Sequence, residues 1–135
     1  MKAILSVFLV VLASATQVYP LTQQVGGNCG ATNIYDIMYF DITPWPPRAG
    51  SKAILTMGGE FLKSEFVQEV VLGTCINGMF WNYDPIDVNK GFNAREIVEF
   101  QFGIVFPTDK ASYVSNVQLT AGDHICCWQF KYNIG

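Results

Sequence analysis

Arg95-Glu96-Ile97-Val98-Glu99-Phe100-Gln101-Phe102-Gly103-Ile104-Val105-Phe106 decides the fold. Val98, Phe100, Phe102, Ile104 and Phe106 alternate with Glu99, Gln101 and Gly103, a period of two that an extended strand satisfies and a helix does not. One face of such a strand is buried and the other stays polar, as in an antiparallel sheet with a solvated side. Amphipathic helical spacing is nearly absent from the rest of the chain, so the fold class is all-β.

On the N-terminal side, Tyr35–Thr43 forms a strand with Met38, Phe40 and Ile42 on one face and Asp41 on the other. Pro44 ends it, because proline donates no ladder hydrogen bond. Beyond Pro44-Trp45-Pro46-Pro47, Lys52–Phe61 places Leu55, Met57 and Phe61 on one face, and Gly58-Gly59 marks a bulge. Residues 66–75 follow, showing Phe66, Val70 and Leu72 against Glu69. Asn77-Gly78 is a strong hairpin signal leading into a short strand at 79–83. Residues 84–93, with Pro85 and Gly91, read as a loop. After the deciding strand come residues 113–120, the turn Ala121-Gly122-Asp123-His124, and residues 125–134. Seven strands at this spacing imply a two-sheet antiparallel Ig-like β-sandwich.

The first fifteen residues read as a secretory signal peptide. Lys2 supplies the positive end, residues 3–12 the apolar run, and Ala13-Ser14-Ala15 a small-residue cleavage site. That run is too short to cross a bilayer. Residues 16–27 are a polar lead-in, and 28–135 form one domain. The chain carries eight Lys and Arg against eleven Asp and Glu, a net charge of −3, and losing Lys2 makes it −4. No basic cluster occurs, which excludes nucleic acid as a partner and strong electrostatic attraction to anionic membranes. No Asn-x-Ser/Thr sequon occurs either.

In an oxidising compartment the four cysteines form disulfides. Cys126 and Cys127 are neighbours whose side chains point to opposite faces of a strand, so they do not bridge each other. Cys29 and Cys75 are then each free to take one of that pair, or Cys75 stays reduced. Without a Cys-x-x-Cys motif, and with His124 the sole histidine, neither a metal site nor a cofactor is expected.

Catalytic groups are scarce. His124 lies in a turn, and any Ser–His or Cys–His pair would have to use it. Asp84 and Asp87 flank Pro85 in the expected loop, while Glu96 and Glu99 are an odd interval apart and face opposite ways on a strand. Aromatic residues are plentiful instead: ten Phe, six Tyr and three Trp. Phe100, Phe102 and Phe106 share one strand face, and Trp128, Phe130 and Tyr132 share another. Large rings on two facing sheets can prop them apart around an apolar cavity, the usual character of a small-molecule site.

Four segments carry a family likeness: Asn28-Cys29-Gly30, Asp41-Ile42-Thr43-Pro44-Trp45-Pro46, Gly50, and Cys127-Trp128-Gln129-Phe130. In order and spacing they resemble the ML domain, the MD-2-related lipid-recognition family. That family includes the Niemann–Pick type C2 sterol carrier, the GM2 activator and fungal phosphatidylglycerol/phosphatidylinositol transfer proteins. The likeness covers residues 28–134. It implies an Ig-like sandwich that holds one sterol, phospholipid or glycolipid between its sheets and performs no catalysis. It further implies a disulfide Cys29–Cys127, which leaves Cys75 and Cys126 as a second pair. This chain departs from the pattern: it has Trp45-Pro46-Pro47 where the sterol carrier has a cysteine-closed loop, it lacks the second internal disulfide loop, and Cys126 is extra.

On the strand faces and this likeness together, Phe40, Leu55, Met57, Phe66 and Val70 line the cavity with Phe100, Phe102, Phe106, Trp128 and Phe130. Trp45, Trp81 and Tyr83 stand at its mouth. Trp45, stiffened by its prolines, is expected to gate lipid uptake and to dominate docking over charge. The partners expected are the lipid and, transiently, a membrane or acceptor protein, for a monomer in the secreted or endolysosomal lumen. Two rivals are a structural or adhesive Ig-like module without ligand and a small secreted hydrolase.

Overall fold

The computed structural model describes residues 6–14 and 25–135, with side chains for the second segment. Its elements are β1 (Ser6–Ser14), β2 (Gly27–Asn28), β3 (Tyr35–Thr43), β4 (Lys52–Phe61), β5 (Glu65–Ile76), β6 (Phe80–Phe92), β7 (Ile97–Val105), β8 (Ala111–Ala121) and β9 (Asp123–Ile134). Among the described residues every regular element is a strand, and every pairing is antiparallel. Strands β3, β4 and β7 form a three-stranded sheet, and β1 adds a fourth strand along β7. The facing sheet has the order β2-β9-β8-β5-β6. This is the two-sheet sandwich expected from the alternation. Residues 1–5 and 15 of the expected leader, and 16–24 of the lead-in, lie outside the described residues.

Strand β7 shows why the alternation decides the architecture. Val98, Phe100, Phe102 and Ile104 are buried, while Ile97, Glu99, Gln101 and Val105 are half-buried. Strands β8 and β9 repeat the pattern. Tyr113, Ser115, Val117 and Leu119 face inward from β8, and Cys126, Trp128, Phe130, Tyr132 and Ile134 from β9. Each fully buried Phe contributes about 1.5–3 kcal/mol relative to exposure, so the inward faces hold the sheets together.

The structure corrects four expectations. Residues 84–93 are not a loop: they continue a thirteen-residue strand, β6. That strand is the outer edge of its sheet, where Pro85 can sit opposite Val71 without removing a needed ladder bond. Phe66 does not line the interior. The register shifts between Val67 and Glu69, so Val67 turns inward with Val70 and Phe66 stands 53% exposed. The bulge at Gly58-Gly59 belongs to the opposite strand, where Met38 is the extra residue between Ile37 and Tyr39. Finally, Cys75 and Cys126 are both free thiols. Cys126 points into the core and Cys75 to the outer face of the same sheet. Cys126 is level with Val70, through Leu119, so the two are also offset by five residues, about 17 Å at 3.4 Å per residue.

The disulfide implied for Cys29 and Cys127 is present. Cys127 faces outward because its neighbour Cys126 faces inward, and Cys29 donates its N–H to the Cys127 carbonyl at 2.9 Å. The same strap is fixed a few residues earlier, where Trp128 Nε1 donates to the Val25 carbonyl at 2.7 Å. The N-terminal end of the domain is thereby tied to β9.

Candidate functional site

The candidate site is the layer between the sheets. Of the residues expected to line it, Phe40, Leu55, Met57, Val70, Phe100, Phe102, Phe106, Trp128 and Phe130 all lie there, buried. Phe40 stacks on Trp128 with ring centres 5.4 Å apart and leans on Phe130 at 5.7 Å. Residues outside the expected set complete the layer. Phe61 stacks on Phe92 at 4.8 Å, and Tyr35 meets Phe61 at 4.7 Å and Phe100 at 5.7 Å. Phe92 escaped notice because its segment reads as a loop. Tyr35 sits at a strand end, where alternation has too few residues to assign a face, while Phe61 lies on the apolar face expected for its strand with Leu55 and Met57.

These side chains fill the space. Phe40, Leu55, Met57, Val70 and Phe100 are each 0% exposed, and a void beside them large enough for a water molecule would register as exposure. Around these five residues the expected cavity is occupied by the side chains themselves. A guest between the sheets has to displace them, and unbranched Met57 and the end residue Trp45 are best able to move.

Trp45 is half-buried at one end of the layer, edge-on to Phe106, Phe130 and Tyr132 at 6.1–6.4 Å. It plugs the end rather than standing free. Behind it lies the interior's main polar feature. Ser115 Oγ is 3.1 Å from the Tyr132 hydroxyl and donates to Thr74 Oγ1 at 3.4 Å, and Thr74 and Ser115 are 1% and 0% exposed. Desolvation pushes the Tyr132 and Tyr35 phenols up and the Cys126 thiol to about 12, so these groups stay neutral and protonated. The buried surface therefore offers hydroxyls and rings, without charge from these groups.

Trp81 and Tyr83 are not at the mouth of this layer. Tyr83 is opposite Gly73 and Trp81 opposite Cys75, and the Tyr83 ring lies over Gly73 on the side that Asn116 occupies. Asn116 alternates with inward Ser115 and Val117, so that side is the outer face of the sheet. The two rings are parallel within 9°, with centres 5.9 Å apart. His124 is exposed at the start of β9, opposite Thr120, and not in a turn. Among the described residues, no three His, Cys, Asp or Glu side chains gather in a metal-binding arrangement.

No family model matches the sequence, and no curated protein is similar to it in sequence. In three dimensions the chain is similar to the crystal structure of a Niemann-Pick type C2 protein from the Japanese carpenter ant, with a TM-score of 0.58. The two are 15% identical, and the match covers 82% of this chain and 99% of that one. That likeness is one of fold, the same fold type that the short sequence motifs imply.

Proposed function

We propose that this protein is a lipid carrier that takes the apolar part of one lipid between its two sheets and breaks no bond. The observation that carries the reading is the layer itself: rings and aliphatic chains contributed by both sheets, closed at one end by half-buried Trp45 of the β3–β4 connection. Burial of acyl or sterol surface at about 25 cal/mol per Å² drives binding. The Thr74–Ser115–Tyr132 hydroxyls supply the polar contacts inside. The Cys29–Cys127 disulfide suits an oxidising compartment, so the carrier works in the secreted or endolysosomal lumen after a leader at residues 1–15 is removed. Removal would uncover the outer edge of β7, which β1 pairs along its length.

One observation favours a second reading. A layer already filled by its own rings is what a ligand-free Ig-like module needs, and such a module would hold nothing. Native mass spectrometry of protein purified from its own source separates the two. The carrier shows an added mass of lipid size that organic extraction removes, whereas the module shows the bare chain.

A further inference from the structure

Among the described residues six large hydrophobic side chains are exposed, and four of them fall within five positions of the chain. Met79, Phe80, Trp81 and Tyr83 are 68%, 61%, 41% and 56% exposed. They form the tip and first turn of the β5–β6 hairpin. Trp81 and Tyr83 stand on the outer face and Phe80, opposite Ile76, on the other, so the apolar exposure wraps around the hairpin tip, and a cluster of this kind marks a contact surface.

The tip is held rigidly. Asn77 and Gly78 both have positive φ, 50° and 71°, the two-residue turn that Asn-Gly favours. Met79 N–H donates to the Ile76 carbonyl at 2.9 Å, Asn77 N–H to the Ser112 carbonyl at 2.7 Å, and Ser112 N–H to Asn77 Oδ1 at 3.0 Å. The tip is thus locked to β8. Ser112 in turn donates to Asn133 Oδ1 at 2.8 Å, and Asn133 lines a surface depression of about 390 Å³ with Arg48, Thr108 and Lys110. Three strand spacings, about 14 Å, separate β6, which carries the apolar side chains, from β9, whose Asn133 lines the depression with the two basic residues. Trp45 plugs the interior at this same end, since the β3–β4 and β7–β8 connections and the C-terminus converge there.

We propose that this end of the sandwich docks on a lipid bilayer, with Met79 and Phe80 entering the acyl region, Trp81 and Tyr83 at the headgroup level, and Arg48 and Lys110 on anionic headgroups. The occupant follows from residue chemistry. Indole and phenol rings sit at membrane–water interfaces, where one edge is apolar and the other wet. The net charge of −3 turns most of the surface away from an anionic bilayer, so the basic pair sets the orientation, tempered by Asp109 beside Lys110 and by Asp84 on β6. A second copy pairing along the open β6 edge is disfavoured by Pro85, Asp87 and Lys90 on that strand. The inference goes beyond the carrier reading and moves docking from Trp45, which is half-buried, to the hairpin.

The test is flotation of the purified protein with vesicles of phosphatidylcholine, with and without phosphatidylserine, and native mass spectrometry of the same samples. The wild type should float with vesicles, better when phosphatidylserine is present. Phe80→Ser should weaken partitioning about tenfold, equivalent to about 1.4 kcal/mol, and Met79→Ser somewhat less. Lys110→Gln should remove only the preference for phosphatidylserine. All three positions are at the surface, so circular dichroism should be unchanged. A Phe80→Ser variant that still holds lipid but no longer floats supports docking. Vesicle binding by a protein that holds no lipid also supports docking while refuting the carrier. A wild type that does not float, equal flotation of Phe80→Ser, or a patch consumed in a soluble dimer overturns the proposal.

Discussion

Replacing Cys29 and Cys127 together by alanine releases a loop closed over a sequence separation of 98. In the chain-entropy model such a loop restricts the unfolded chain by about 16 cal/mol/K, or about 4.7 kcal/mol at 25 °C. Little of that is offset in the folded state. The bridge joins β9 to the residue just after β2, a strand of only two residues, and the Cys29 N–H bond to the Cys127 carbonyl can persist without it. A domain of this size has about 5–15 kcal/mol of stability in all, so the bridge is a third or more of it. With an m-value of about 2 kcal/mol/M, the urea midpoint should fall by about 2 M. Equilibrium urea unfolding, followed by far-ultraviolet circular dichroism, measures the shift. Wild-type protein unfolded in reductant should match the double variant, and Cys75→Ala, which breaks no bridge, should lie near the oxidised wild type. A double variant within about 0.5 M of the wild type would refute the reasoning, because the unfolded chain would then gain little freedom from the cut.

Phe102→Ala should cost about 3–5 kcal/mol by chemical denaturation and Gln101→Ala under about 0.5, since adjacent residues face opposite sides; equal costs would mean the register is wrong. Gly58→Ala should destabilise by about 2 kcal/mol or more, because the added methyl meets the Tyr39 ring, which its hydroxyl bond to Glu99 at 2.7 Å holds in place. Adding Tyr39→Ala should recover part of the loss, and no recovery would place the strain elsewhere. Stability should decline at alkaline pH. The Cys126 thiol is raised from 9.0 to about 12 in the fold, so its contribution is complete below pH 9 and is lost as pH rises toward 12. The slope approaches about 1.4 kcal/mol per pH unit for one such group, and Tyr35 and Tyr132, also raised, steepen it above pH 10. A urea midpoint that stays flat from pH 8 to 11 would contradict the burial of these groups.

Wherever alternation was long and unbroken, the sequence was a sufficient guide. Strands β3 and β4 have the ends their prolines and glycines announce, and β7 has its apolar face where the deciding stretch places it. Register shifts defeated the reading elsewhere. Phe66 and Val70 look like one face at an even interval, but the register shift between Val67 and Glu69, where β6 carries an extra residue between Asp87 and Lys90, breaks the phase, which no local preference reveals. Strand β6 looked like a loop because Pro85, Asp84, Asp87 and Asn89 are poor strand formers, yet an edge strand with one solvated side tolerates all of them. Trp81 and Tyr83 lie on the outer face of their sheet because they stand opposite Cys75 and Gly73, and a short strand at 79–83 alone does not say which of its faces turns inward. The bridge between Cys29 and Cys127 came from the family likeness, since the residues alone left its partner undetermined.

The central claim is that a lipid lies between the sheets, and photo-crosslinking tests it most directly. A fatty acid bearing a diazirine near the end of its chain is bound to the protein, irradiated, and its attachment sites mapped by peptide mass spectrometry. The account predicts labelling of inward residues from both sheets, Phe40, Met57 and Phe102 from one and Trp128 and Phe130 from the other, with Gln101 and Gln129 unlabelled. Labelling confined to the exposed Met79–Tyr83 hairpin, or spread without regard to strand face, would contradict it.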